Sequence, residues 1–331
     1  MPGNGILVTM RHTLAKRYST IFRRPGVSRL GALKSRSTSW SWAIDALSFR
    51  QRVALLVALL VVVVSVVLML EPVPQDPNYH RFADSRSFLQ IPNFNDVVSN
   101  LGFALAGVIG VLVVLGRTRS DSFAHPTDAR PYLIFFVGIA LVSVGSAYYH
   151  LAPSNERLFW DRLPMSVAFM SISAAIVADR IDGRAGNGWL LLVMVAAGAG
   201  SLIYWHWTES RGLGDLRFYA LVQFYPMFAL PLIIGLFPRF RYTAGRYVAW
   251  MVLWYAMAKL FEYLDTEIFE LLGYTVSGHT LKHLAAAMVP IVIARMLLYQ
   301  RLAPDAGLRE DAATFRTTSA AADRTSRGQV R

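Results

Sequence analysis

Eight predominantly apolar stretches of this 331-residue chain are each about as long as a helix needs to cross a bilayer. They run from Val53 to Leu70 and then over residues 96–115, 131–150, 162–179, 188–206, 218–237, 246–264 and 279–298. None alternates polar with apolar residues, and Gly, Pro or Arg bounds them, so helices fit where the short alternating strands of a membrane barrel do not. The expected fold class is therefore an all-α polytopic membrane protein. A composition of 54% hydrophobic and 16% charged residues excludes an ordinary soluble domain.

Around these spans the chain divides into four parts: a basic, disordered or interfacial arm over 1–50, an extra transmembrane helix over 51–71, a seven-helix domain over 72–300 and a disordered tail over 301–331. The arm carries Arg11, Lys16, Arg17, Arg23 and Arg24 with no acid before Asp45, and places Trp40 and Trp42 at its end. An acid-poor, Arg- and Ser-rich start fits an organelle transit peptide, but also a cytoplasmic arm held on an anionic leaflet, which is the reading preferred here. Glu71-Pro72 and Pro74 end the first span. The net charge of +12 is spread over tails and short loops and forms no single basic face, so topology explains it and no nucleic-acid partner is expected. Basic residues favour one side, with Arg117, Arg119, Arg130, Arg180, Arg184, Arg239, Arg241 and Arg246 in inner loops, which puts both termini in the cytoplasm. Arg far outnumbers Lys, which suggests a GC-rich bacterial genome and an inner-membrane location.

Three histidines and two small polar residues interrupt the apolar spans: Ser146-x3-His150, then Asp161, then His279-x3-His283. Ionisable groups are costly in a bilayer, so each is a candidate functional residue. The count of spans puts them at one depth. His150 closes the third span, Asp161 opens the fourth and His279 opens the eighth, so all five lie toward the outer face. Residues four apart share a helix face, so two helices offer three imidazole nitrogens to one point. With no cysteine in the chain, a zinc ion must be held by His, Asp or Glu, and three protein ligands with an open fourth position is the catalytic arrangement. Asp161 is placed to hydrogen-bond a metal-bound water or imidazole. The plainer alternatives are a Ser that packs against a neighbouring helix and a pair of packed or solvated imidazoles. His206 belongs to an aromatic belt with Trp205 and Trp207, and His12, His80 and His125 receive no role. Glu262 and Asp265 rank lower as partners for the ligating histidines. Asn95, Asp96, Ser99 and Asn100 read as a cap and interhelical glue, Lys259 as a partner of Glu262, and Pro290 as a kink.

Three segments, Gly145-Ser-Ala-Tyr-Tyr-His150, Trp160-Asp-Arg-Leu-Pro-Met165 and Gly278-His-Thr-Leu-Lys-His283, resemble the alkaline ceramidase family, part of a superfamily that includes the adiponectin and progestin receptors. The run Asn95-Asp-Val-Val-Ser-Asn100 is similar to that family's opening signature. The resemblance implies a seven-helix, zinc-dependent amidohydrolase that cleaves the amide of a ceramide-like membrane lipid to sphingoid base and fatty acid. In it His150, His279 and His283 would bind Zn2+, Asp161 would orient and deprotonate the water, and Ser146 would assist the oxyanion. A calcium site is not supported, since Asp76 to Asn93 holds only Asp76 and Asp84 as acids. Alternatives from other classes are an esterase or lipid-remodelling hydrolase, a receptor-like protein with a structural metal, and a bis-histidine haem protein.

Overall fold

A computed structural model describes residues 46–119 and 122–299. The expectations for most of the basic arm and for the tail over 301–331 fall outside those residues. Within them the chain is helical, and its one β-bridge, Phe88 to Ile91, closes a turn. The expected all-α polytopic architecture is the one observed. Ten helices are numbered here: α1 Phe49–Met69, α2 Phe94–Ser99, α3 Leu101–Arg119, α4 Ala129–Leu151, α5 Asn155–Arg180, α6 Trp189–Glu209, α7 Arg217–Leu236, α8 Gly245–Tyr263, α9 Asp265–Leu271 and α10 Gly278–Tyr299.

Val- and Leu-rich runs would suit strands in water, but in a bilayer only a helix pairs every backbone group within one segment. The described residues contain seven helical stretches long and apolar enough to cross a membrane, with α2 and α3 counting as one, so the chain is a multi-pass integral membrane protein. The run over 246–264 is the exception. Its helix, α8, holds Arg246, Lys259 and Glu262, too many charges for the apolar criterion. It still runs the length of the bundle beside α10, which returns the chain to the end from which α7 starts.

α4 and α5 form the centre as a hairpin closed by Ser154, whose hydroxyl caps α5 by accepting from Arg157 N at 3.2 Å. The two backbones touch at Gly145, where a Cβ would lie 2.1 Å from the Trp160 carbonyl oxygen. Small residues at such crossings let membrane helices approach closely. Tyr132, Phe136, Ile176, Ile293 and Leu297 fill the core between α4, α5 and α10. α1 buries no residue fully, yet Val53 and Leu56 pack on the core and Arg52 Nη1 donates to the Leu236 carbonyl at 2.8 Å, satisfying the C-terminus of α7.

A strap over residues 71–93 covers one end of the bundle. Its Tyr79, His80, Phe82 and Asp84 all reach helices or their connections. Irregular backbone of this kind belongs where it lies over protein or in water and not against lipid. Leu89, Gln90 and Asn93 take positive φ in the turn that brings the strap into α2.

Candidate metal centre

The sequence places its five site residues on three helices, and the fold brings all of them to the strap-covered end. His150 is in the last turn of α4, and His279 and His283 are in the first turns of α10. All three are buried, and one ligand atom from each lies within 4.8 Å of the others. Nε2 of His150 and Nε2 of His279 are 3.3 Å apart, and two nitrogens on one tetrahedral zinc at about 2.0–2.1 Å would be separated by about 3.3–3.4 Å. The residues present therefore fit a zinc ion. A porphyrin has no room between nitrogens this close, so the haem alternative is set aside.

Each imidazole is oriented differently. Ser99 Oγ gives its proton to the Asp96 carbonyl at 3.1 Å, so it accepts from Nδ1 of His283 at 2.8 Å and leaves Nε2 of that ring free to ligate. His279 is fixed through its backbone, whose N–H donates to Asp265 Oδ1 at 2.7 Å. His150 has no hydrogen-bond partner at Nδ1 and is held by packing, with Tyr149 at 4.9 Å and Phe82 at 4.7 Å between ring centroids. Lys282 Nζ lies 3.1 Å from His279 Nε2 and 2.9 Å from Glu262 Oε1, so a cation on the imidazoles requires the ammonium to turn toward Glu262. Glu262 also pairs with Lys259 and accepts from the Tyr79 hydroxyl at 3.2 Å.

Ser146 and Asp161 are buried on the cavity side of the triad. They border a cavity of about 130 Å³ that continues down the bundle between apolar walls, among them Phe103, Phe135, Ile139 and Pro290. Next to Asp161, the buried guanidinium of Arg162 stands about 5 Å from the rings of Tyr79, Trp205 and Tyr219 and donates to Gln75 Oε1 at 2.7 Å. This clamps the strap to α5.

Several neighbours differ from expectation. His80, given no role, bridges strap and hairpin: Nε2 donates to Asn155 Oδ1 at 2.8 Å and Nδ1 accepts from the Tyr149 hydroxyl at 2.9 Å. Ser99, expected to act as glue, orients a candidate ligand, while Asp96 does tie helices together by accepting from Thr280 Oγ1 at 2.7 Å. Asp265 acts on the His279 backbone and not on an imidazole. His206 packs at 4.9 Å from Phe159, consistent with an aromatic girdle. No spacing signal in the sequence marks Phe82 or Arg162 as part of the site.

Comparison with known proteins changes the functional expectation. A sequence model of the family described as the dsRNA-gated channel SID-1 matches residues 28–201, just over half of the chain. Human SID1 transmembrane family member 1 is 27% identical over 187 residues, which is 50% of this chain and 23% of the human protein. This chain thus corresponds to less than a quarter of that relative's length. No solved structure matches. The resemblance to alkaline ceramidases is corrected by these matches. With it go the ceramide-like lipid substrate, the zinc-dependent amidohydrolase activity, its esterase variant and the assignment to sphingolipid metabolism. The expected absence of a nucleic-acid partner is overturned on the same ground. The physical reason is that a Ser-x3-His and a His-x3-His pair specify a ligand geometry on helices, and that geometry does not specify a family.

Proposed function

Since this chain belongs to the SID-1 dsRNA-gated channel family, we propose that it is the membrane-embedded part of a protein that takes up or passes double-stranded RNA, with one zinc ion on His150, His279 and His283. The observation that carries the first half is the family match over 28–201, which includes α1 to α5 and most of α6. The net charge of +12 supports it, because binding of a polyanion is driven largely by phosphate neutralisation and counterion release. The cavities of about 130, 240 and 850 Å³ among the described residues are far smaller than a duplex, which supports a bundle that is a wall or scaffold of a passage and not its lumen. Zinc would act structurally, fastening α4 to α10 where the strap crosses them. Ser146 and Asp161 would border that ion from the cavity side.

The reading extends to placement. Basic inner loops support cytoplasmic termini and a triad toward the outer face, and the Arg-rich composition supports a bacterial inner membrane. Reconstitution of the full chain in vesicles, followed by transfer of labelled dsRNA and of dsDNA of equal length, tests the functional half. Preferential, salt-sensitive binding or uptake of dsRNA is expected, since the 2′-hydroxyl distinguishes the two. Equal behaviour of dsRNA and dsDNA, or of protein-containing and empty vesicles, would remove it.

A further inference from the structure

The triad has two sides. Toward the interior it meets the cavity bordered by Ser146, Asp161, Lys282 and His283, whose remaining walls are mostly apolar. A hydrated divalent cation would have to shed its water to travel through such walls in the middle of a bilayer. Toward the strap it meets Phe82. The Phe82 ring lies 4.7 Å from the His150 ring and 4.6 Å from the His279 ring, covering the two imidazoles whose Nε2 atoms face each other. Phe82 is only partly buried, so its outer edge already meets solvent.

On either side of Phe82 the strap is fastened. Gln75 and Tyr79 are held by Arg162, His80 by Tyr149 and Asn155, the Ala83 N–H by Asp265 Oδ2 at 2.9 Å, and Asn93 Nδ2 donates to the His150 carbonyl at 2.8 Å. An apolar side chain in irregular backbone between fixed points can swing aside by a rotamer change while its anchors stay in place, an opening far cheaper than unfolding.

We propose that Phe82 is the gate through which the triad exchanges its divalent cation with the aqueous phase at the strap-covered end. The inference rests on the metal reading above. It assigns the strap a role that no ligand spacing reveals: it fixes the face from which the ion loads and sets how fast it leaves.

The test is the rate at which zinc passes from the full-length, zinc-loaded protein in detergent to an excess of a chromophoric chelator. Zinc content of the unaltered protein reads the metal assignment, and the ratio of rates reads the gate, so the two can fail separately. Phe82→Ala should release zinc about tenfold faster or more, as expected for losing two aromatic contacts, with zinc content before challenge unchanged. Phe82→Leu, which keeps bulk and guards against misfolding of the alanine variant, should fall between. Phe103→Ala opens the interior side, 6.1 Å from the His283 ring, and should leave the rate as it was. Rates in both Phe82 variants equal to the original, or acceleration by Phe103→Ala in place of Phe82→Ala, would overturn the gate.

Discussion

The two ends of this bundle are both polar, yet among the described residues only one of them brings three possible metal ligands together. At the far end, Asp179 accepts from Arg241 N and Thr243 N, each at 2.9 Å, and from Thr243 Oγ1 at 2.5 Å. Arg180 donates to the Phe237 carbonyl at 2.7 Å, and Asp128 accepts from Asn187 Nδ2 at 2.6 Å and the Tyr242 hydroxyl at 2.8 Å. Asp179, Arg180 and Asp128 each find hydrogen-bond partners within the protein, and those of Asp179 and Arg180 tie the connection between α7 and α8 to α5. At the strap-covered end the three imidazoles converge on a common point, His283 oriented by Ser99, His279 held through its backbone and His150 by packing. Buried polarity marks a place of high consequence in a membrane protein. Convergence of three imidazoles on one point, with only the mobile Lys282 ammonium beside it, is what separates a ligand site from a latch.

The contrast breaks most sharply under single substitutions at each end. His279→Ala should reduce bound zinc from about one per chain to none in elemental analysis of purified protein, because two imidazoles no longer complete the usual three-ligand set. Asp179→Ala should do the opposite, keeping zinc while lowering stability by about 1.5–3 kcal/mol, the scale for losing hydrogen bonds to a charged group. Zinc loss in the Asp179 variant would show that the ends are one cooperative unit. Next in size, Ser99→Ala should weaken zinc binding about 10–100-fold with little change in melting temperature, since it removes only the group orienting His283. An unchanged zinc affinity there would reduce Ser99 to glue between helices.

A smaller and more diffuse effect is expected at the helix crossing that both ends share. Gly145→Ala sets a methyl against the Trp160 carbonyl, so α4 and α5 must part, at about 1–3 kcal/mol of stability read from thermal unfolding. The smallest effect is on pH dependence of the strap. Burial pushes the Asp84 carboxyl up, but hydrogen bonds from Arg86 and Asn95 outweigh it and hold the group below the usual carboxylate range. A depressed folded value contributes stability above the ordinary Asp range of about 3.9, and that contribution is lost as pH falls through the lower folded value. Limited proteolysis of the strap should therefore be constant near neutrality and rise only in strong acid, and Asp84→Asn should flatten that rise.

How much of this was legible in the sequence follows from which signals are periodic. The helices and the shared depth of His150, Asp161 and His279 could be read because runs of about twenty apolar residues and four-residue spacings repeat along one helix. Phe82, His80 and Arg162 could not, because they meet the site through an irregular strap, where contacts depend on turns and not on a period. Ser99 was visible as a polar residue near a helix start but not as the partner of a histidine 184 positions away. Membership of the SID-1 family was not legible in the charge pattern either, because basic residues divided among tails and loops form no single face that a sequence reading can recognise.

Zinc-edge X-ray absorption on the purified, unmutated protein tests the central claim most directly. Three imidazole nitrogens at about 2.0–2.1 Å, with the multiple-scattering pattern of ring ligands, are the predicted result. Protein free of stoichiometric metal, or a zinc shell without imidazole scattering, would contradict it.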